Sequence, residues 1–414
     1  MTLRPTRSQT WLARVLLMLL AMLVAFLSAE SAARALPDTG RYQERGEPDD
    51  ALWADPAWRS PPEHVYRPDR ELGYTHAANA VADVKVAEHP DRAFRFRTNG
   101  DGLRRDSEIA VPKPPGTYRV LVLGDSQTSG YTANADAYPG QLEARWAERA
   151  AGRTVEVLNA GIDGYGPQQV YLWYLRYGLP LEADLVIFAV YAGNDVDDLA
   201  HGAVSGATID DDAGRIGPLR TPLAWLKLRS ELVQRVRPPV QRVLDEVQPA
   251  RTVIPEDRLI RLLRECHGCW LQSLKQAVRA RTEPDAAERA YRRLELAFQL
   301  VESLAGTDGG RLAVVTIPTK IQVEPDDERG AVGRAGRLLE LDPADAVYDT
   351  MAYNRIREAA QRAGVLVVDP LAALQEQAQD RRLYYRRDWH LNPAGNRALA
   401  TALDIALTDA GVGP

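Results

Sequence analysis

The sequence predicts an α/β protein: a parallel, doubly wound sheet of five strands, with a helical insertion and a small β-rich N-terminal appendage. Three observations predict it. Five short apolar runs read as strands, over residues 118–123, 155–158, 184–190, 311–317 and 365–368. Most of the stretches between them carry apolar residues at helical spacing, as Leu142, Trp146 and Ala147 do, and parallel neighbours need such crossovers to return the chain. Finally, Asp184 to Val190 is almost continuously apolar, which suits a parallel strand covered on both faces.

The 414 residues suffice for one large domain and an appendage. An apolar content of 45% and a charged content of 26% are those of a globular chain, neither disordered nor a multi-span membrane protein. With a net charge of −6, no basic run and no zinc-finger spacing, nucleic acid is not an expected partner.

Residues 1–35 read as an export segment. Arg4, Arg7 and Arg14 precede the apolar stretch Val15 to Ala29, and small residues follow. Two readings fit: a signal cleaved near Ala33-Arg34-Ala35, or an uncleaved single-helix anchor that ties the chain to the membrane. Arginines on that side would hold the N-terminus in the cytoplasm. Both readings place the rest of the chain outside the cytoplasm, at the periplasmic or extracellular face.

Residues 36–70, rich in Pro, Asp, Arg and Glu, read as a linker. Residues 71–115 form the β-rich appendage. Phe94-Arg95-Phe96-Arg97 alternates apolar and polar residues, and Asn99-Gly100 then turns the chain. The plain expectation for this appendage is cover for an edge of the main sheet; carbohydrate contact is the functional alternative. The main domain spans 116–414.

Within it, Pro139 to Ala151 and Gln168 to Tyr177 read as helices around the short second strand, which ends at Asn159. From about 201 to 304 the alternation breaks into helical patterns without a strand, an insertion that suits a lid, a wall or plain scaffold. It holds both cysteines, in Cys266-His267-Gly268-Cys269. In an exported chain these can close a local disulfide or stay as thiols. Metal and redox roles are weaker readings, because a structural zinc site wants four ligands and the motif is not that of covalent haem. Tyr353 to Ala363 and Pro393 to Ala406 supply the closing helices.

The chemistry-bearing residues sit where strands end. Gly124-Asp125-Ser126 follows the first strand, where ligands bind in an open α/β sheet. Taken alone, Ser126 reads equally well as a helix N-cap. A serine hydroxyl needs a base, and the base an orienting partner. Of six histidines, His64, His76 and His89 lie in the linker and appendage, His267 lies by the cysteines, and His201 opens the insertion. His390 lies in a loop at the last crossover, with Asp388 two residues before it.

Four blocks in order carry a family resemblance: Gly124-Asp125-Ser126, then Asn159-Ala160-Gly161-Ile162-Asp163-Gly164, then Gly193-Asn194-Asp195, then Asp388-Trp389-His390-Leu391-Asn392-Pro393. Together they resemble the SGNH branch of the GDSL esterase/lipase superfamily, over roughly residue 116 to the C-terminus. The resemblance implies a three-layer α/β/α fold around a flavodoxin-like sheet, and acyl transfer through serine. It implies Ser126 as nucleophile, His390 as base and Asp388 as orienting acid. It also implies an oxyanion hole of the Ser126 N–H, the Gly164 N–H and the Asn194 amide. Gly164, five residues beyond Asn159, fits the family spacing better than Gly161. No metal or organic cofactor is implied.

Two positions depart from the pattern. Gln127 replaces the leucine of the family name, at a position expected to carry no chemistry. The acid and base are spaced Asp-x-His, with Arg387 where the usual aspartate stands. This spacing resembles the alginate acetyltransferase-like branch. The first expectation is therefore an exported serine esterase acting on a small acyl ester, acetyl above all, of a carbohydrate or other envelope molecule. The second is an O-acyltransferase that hands the acyl group to a glycan hydroxyl. The third is a non-catalytic glycan-binding or assembly protein on an SGNH scaffold.

Overall fold

The computed structural model describes residues 63–69, 71–86, 88–150, 152–201, 208–210, 215–217, 284–307, 309–324, 351–386 and 390–414, together with Ala25 and Ser28. All but those last two fall in one compact unit made of 57–220 and 252–414. Cys266, Cys269, Asp388 and nearly all of the N-terminal apolar stretch lie outside the described residues. Among the described residues no helix is long and apolar enough to cross a membrane.

The chain first builds two antiparallel pairs. Strand β1 (Tyr66–Asp69) pairs with β2 (Gly73–His76), and β3 (Val81–Lys85) with β4 (Ala93–Arg97). The period-two pattern buries Ala82 and Val84 from one strand against Phe94 and Phe96 from the other. Neither pair joins the central sheet. The appendage therefore does not cover a sheet edge by pairing with it; it packs on the loops at one end, as described below.

The central sheet is parallel throughout. Strands β5 (Thr117–Gly124), β6 (Thr154–Gly161) and β7 (Leu185–Tyr191) come first in the chain. A short hairpin of β8 (Thr208–Asp210) and β9 (Arg215–Gly217) follows, in a segment where the sequence shows no strand. Strands β10 (Arg311–Ile317) and β11 (Leu366–Val368) complete the sheet in the order β11-β10-β7-β5-β6. This is the flavodoxin order, and its topological switch point lies at β5 and β7. Alternation along β5 assigns the two faces. Val120 and Val122 pack with α2 (Tyr138–Arg149) and α9 (Pro393–Asp409). Leu121 and Leu123 pack with α3 (Pro167–Trp173), α5 (Pro284–Thr307) and α7 (Met351–Arg362). Helix against sheet against helix makes the three layers, with the short helices α4 (Asp195–His201), α6 (Lys320–Val323) and α8 (Leu371–Ala378) between those helices in the chain.

Two boundaries differ from the sequence reading. Strand β6 runs on through Asn159 to Gly161, because Gly161 stays in register with Gly124 of β5. And α5, counted in the insertion from sequence, buries Leu294, Phe298 and Val301 in the core, so it is the crossover helix that leads into β10.

Candidate active site

The loop after β5 tightens at once into the four-residue helix α1 (Ser126–Ser129). Its N-cap is Asp125, whose carboxylate accepts the Gln127 N–H at 2.9 Å. Ser126 is thus the first residue of the helix and not its cap, and its own N–H is among the donors that a helix start leaves without an intrahelical partner. Close packing seats this turn. A Cβ added at Gly161 would lie 2.3 Å from the Ser129 nitrogen, so only glycine lets β6 approach α1 this closely. Asn159, first residue of the second block, donates its amide to the Thr128 carbonyl at 2.9 Å.

His390 arrives from a residue far along the chain. Its Nε2 lies 2.8 Å from the Ser126 Oγ, within hydrogen-bond reach, and both side chains are half-buried. The loop that carries it is tied on both sides. Tyr385 donates its N–H to the His390 carbonyl at 3.1 Å, and the buried Gln127 side chain accepts the Leu391 N–H at 3.2 Å. Gln127, expected to carry no chemistry, therefore links the Ser126 turn to the His390 loop. Asn396 of α9 donates to the Leu391 carbonyl at 2.9 Å and accepts the Tyr138 N–H at 3.0 Å. The ring of Tyr131 lies on the imidazole, centroids 4.0 Å apart.

Gly164 follows β6 in a left-handed conformation, with φ of 75°, a region that favours glycine. The turn is held by the appendage: Tyr74 donates its hydroxyl to the Asp163 carbonyl at 2.6 Å, and Tyr66 donates to the Asp163 carboxylate at 2.7 Å. Asn194 follows β7, at the other side of the switch point. Its amide donates to the Asp198 carboxylate at 2.9 Å. An amide nitrogen carries two N–H groups, so this bond does not exhaust it.

Three buried carboxyls lie around the site. Burial pushes the Asp163 carboxyl up, opposed by the Tyr66 hydroxyl, His390 and Arg104. Burial likewise raises Asp125 and Asp195, which also repel one another, while His390 draws Asp125 down. A positive imidazole is thus attracted by Asp125 and Asp163. Arg104, itself buried, donates to the Ser129, Gly130 and Thr132 carbonyls and to the Asn134 side chain. Burial lowers the Arg104 guanidinium to about 10, offset by Asp163, Tyr66 and Asp106.

The structure brings together Ser126 and His390, and sets Gly164 and Asn194 on the loops after the two strands that flank β5. Asp388 lies outside the described residues, so its partnership with His390 stays an expectation. Among the described residues no group of three or more His, Cys, Asp or Glu is arranged to hold a metal ion. Gln127 stands at a position where the sequence leads one to expect no chemistry, and Asp163 stands within the second block without an expected part. Tyr131 and Arg104 carry no local signal, because their parts come from contacts distant in sequence.

Residues 268–412, about a third of the chain, match the model of the family described as ALGX: SGNH hydrolase-like domain, acetyltransferase AlgX. The matched stretch contains His390 and Asp388, whereas Ser126, Gly164 and Asn194 precede it. The comparison with curated proteins returned no match. Similar solved structures include a variant of Axe2, an acetyl xylan esterase from Geobacillus stearothermophilus, 13% identical over 74% of this chain and 98% of its own, with a TM-score of 0.36. LAE5, an alpha/beta hydrolase from the metagenome of Lake Arreo, is 16% identical over 70% and 95%, with a TM-score of 0.36. The lipase/acylhydrolase from Enterococcus faecalis is 9% identical over 71% and 96%, with a TM-score of 0.35. At these scores the likenesses say nothing of this chain's substrate.

Proposed function

From an SGNH hydrolase-like domain of the AlgX-like branch, we infer that the chain is a serine-dependent carboxylic ester hydrolase. It acts through an acyl-serine on a small acyl ester, acetyl above all, of a carbohydrate or envelope polymer. The observation that carries this reading is the 2.8 Å approach of His390 Nε2 to Ser126 Oγ. As Oγ attacks the acyl carbon, its proton passes to Nε2. The carbonyl oxygen gains negative charge, which the Ser126 and Gly164 N–H groups and the Asn194 amide receive. The intermediate collapses, the bond to the leaving alcohol breaks, and the imidazolium returns its proton to that oxygen. Water then repeats the sequence in reverse, with His390 as base, and frees the acid. Each oxyanion donor contributes about 3 kcal/mol in comparable sites. Asp388, two residues before the base, is the proposed orienting acid. The basic and apolar N-terminal segment supports export, secreted or anchored at the outer face of a membrane.

The family description favours a second reading, in which a glycan hydroxyl replaces water at the acyl-serine. Acid–base demands are the same; what differs is whether water is excluded while an acceptor is held. Ser126→Ala is expected to abolish both ester turnover and labelling by a fluorophosphonate, and His390→Asn to abolish labelling while leaving the fold intact. Ester turnover that Ser126→Ala leaves unchanged does not come from this serine, and would favour a binding or assembly role for the SGNH scaffold. Product analysis with an acetylated donor, with and without oligosaccharide, separates hydrolase from transferase: free acetate alone supports the first, an acetylated oligosaccharide the second.

A further inference from the structure

We infer that Tyr131 is a positioning residue for His390: its ring seats the imidazole against Ser126 and stabilises the charge that the imidazole acquires on taking the serine proton. The inference rests on the reading of Ser126 and His390 as nucleophile and base. Two rings with centroids 4.0 Å apart, tilted by 34°, are in face contact. An aromatic face is electronegative, so it attracts an imidazolium much more than a neutral imidazole. The contact therefore strengthens at the moment of proton transfer, which is the condition for an interaction to speed the chemical step.

What makes this more than a chance contact is how firmly the Tyr131 loop is held. Arg104 donates to the carbonyls on both sides of it, Gly130 at 3.1 Å and Thr132 at 2.8 Å. The Tyr385 hydroxyl donates to the carbonyl of Tyr131 itself at 2.8 Å. Phe94 of β4 meets the Tyr131 ring edge-on, at 6.4 Å between centroids. The backbone is thus pinned at three successive residues, and the ring has packing on one side and the imidazole on another. A ring on so fixed a loop acts as a stop that the imidazole rests upon. The route runs from Arg104 in the appendage, through the 129–134 loop, to the base.

Other charged groups also bear on His390. Asp125 faces it from the start of α1, and Asp163 from the turn after β6 with Tyr66 bonded to it. Asp388 belongs to its own loop. These stay constant when only the ring at 131 is altered, so a change in the acid limb of the rate profile reports the ring.

Hydrolysis of 4-nitrophenyl acetate by the full chain, followed from about pH 5 to 9, tests this. Tyr131→Phe keeps the face and is expected to stay within about threefold of the parent in kcat, whereas Tyr131→Leu loses about tenfold in kcat with little change in KM. In Tyr131→Leu the acid limb moves to lower pH, because the imidazolium has lost its partner. Pentafluorophenylalanine at 131 retains the shape and reverses the face's charge. It is expected to act as leucine does, and it decides the matter alone if the leucine variant does not fold. An unmoved acid limb in the leucine and pentafluoro proteins would overturn the inference, as would a Tyr131→Phe protein as impaired as the leucine one. Ser126→Ala is run beside them: if it retains turnover, the site reading itself has failed, whatever the ring variants do.

Discussion

Gln127 sits beside Ser126 yet bonds to the loop that carries His390. Its amide oxygen receives the Leu391 N–H, and the residue is 2% exposed. Leucine at this position, the residue of the family name, would leave that N–H buried without its acceptor, at a cost of about 1–3 kcal/mol. Because His390 is the adjacent residue, the loosened loop also lets the ring drift from Ser126. Gln127→Leu is expected to lower stability by that amount and kcat by about tenfold, with KM little changed. Denaturant unfolding and steady-state kinetics on one preparation check both parts. Lost stability at full kcat would show the amide to be purely structural. The sequence alone gave no hint of this, since the partner lies 264 positions away.

At the scale of elements, the site is an outcome of sheet order. Because β5 lies between β6 and β7, the loops after all three meet at one end, bringing the serine, the glycine and the asparagine to neighbouring positions. That much was legible: unbroken apolar runs marked the strands, and each block of small and polar residues marked a strand's end. The end of β6 was less legible, because Asn159 and two small residues interrupt the apolar run while the backbone pairing continues. Strands β8 and β9 were not legible, each having a single large apolar residue in three. Helix α9 does work the sequence did not announce. Asn396, fully buried, joins the start of α2 to the Leu391 carbonyl next to His390. Trp146 on α2 donates in turn to Asp404 near the end of α9, at 2.8 Å. Asn396→Leu removes bonds to both neighbours and leaves the Tyr138 N–H and Leu391 carbonyl short of partners. It is expected to cost about 2–4 kcal/mol in unfolding free energy, read by denaturant titration, and to slow fluorophosphonate labelling. Unchanged stability would mean that these groups find other partners.

For the molecule as a whole, buried titratable groups in and around the site set how stability answers to pH. Burial pushes up Asp125, Asp163, Asp195 and Glu324. A carboxyl raised by folding binds its proton more tightly in the native state. Its contribution to stability is therefore greatest at low pH and declines as pH climbs from the ordinary carboxylate range through the raised value. His76 works in the opposite sense: burial, helped by the Arg104 charge, lowers it to about 3. Its contribution is present above the usual histidine range and declines as pH falls toward 3. Asp69 too is held low, its burial outweighed by the Tyr177 hydroxyl and the Leu72 and Glu71 N–H groups, and its contribution is lost in acid. These opposing slopes overlap between about pH 4 and 6.5, so the whole curve is a poor test of any one group, but a difference between two proteins is a good one. Asp195→Asn keeps an oxygen to receive the Tyr191 N–H, which the carboxylate accepts at 2.8 Å, and removes the charge. Its neutral side chain also relieves Asp125 of a repelling neighbour. The variant and the parent are expected to melt together only at about pH 4 and below, where the Asp195 carboxyl is protonated in the folded and the unfolded chain alike. The variant should melt at progressively higher temperature as pH rises to 8. Parallel melting curves across that range would show Asp195 to be charged at little cost, and the acidic backing of the site to be far better solvated than its burial indicates.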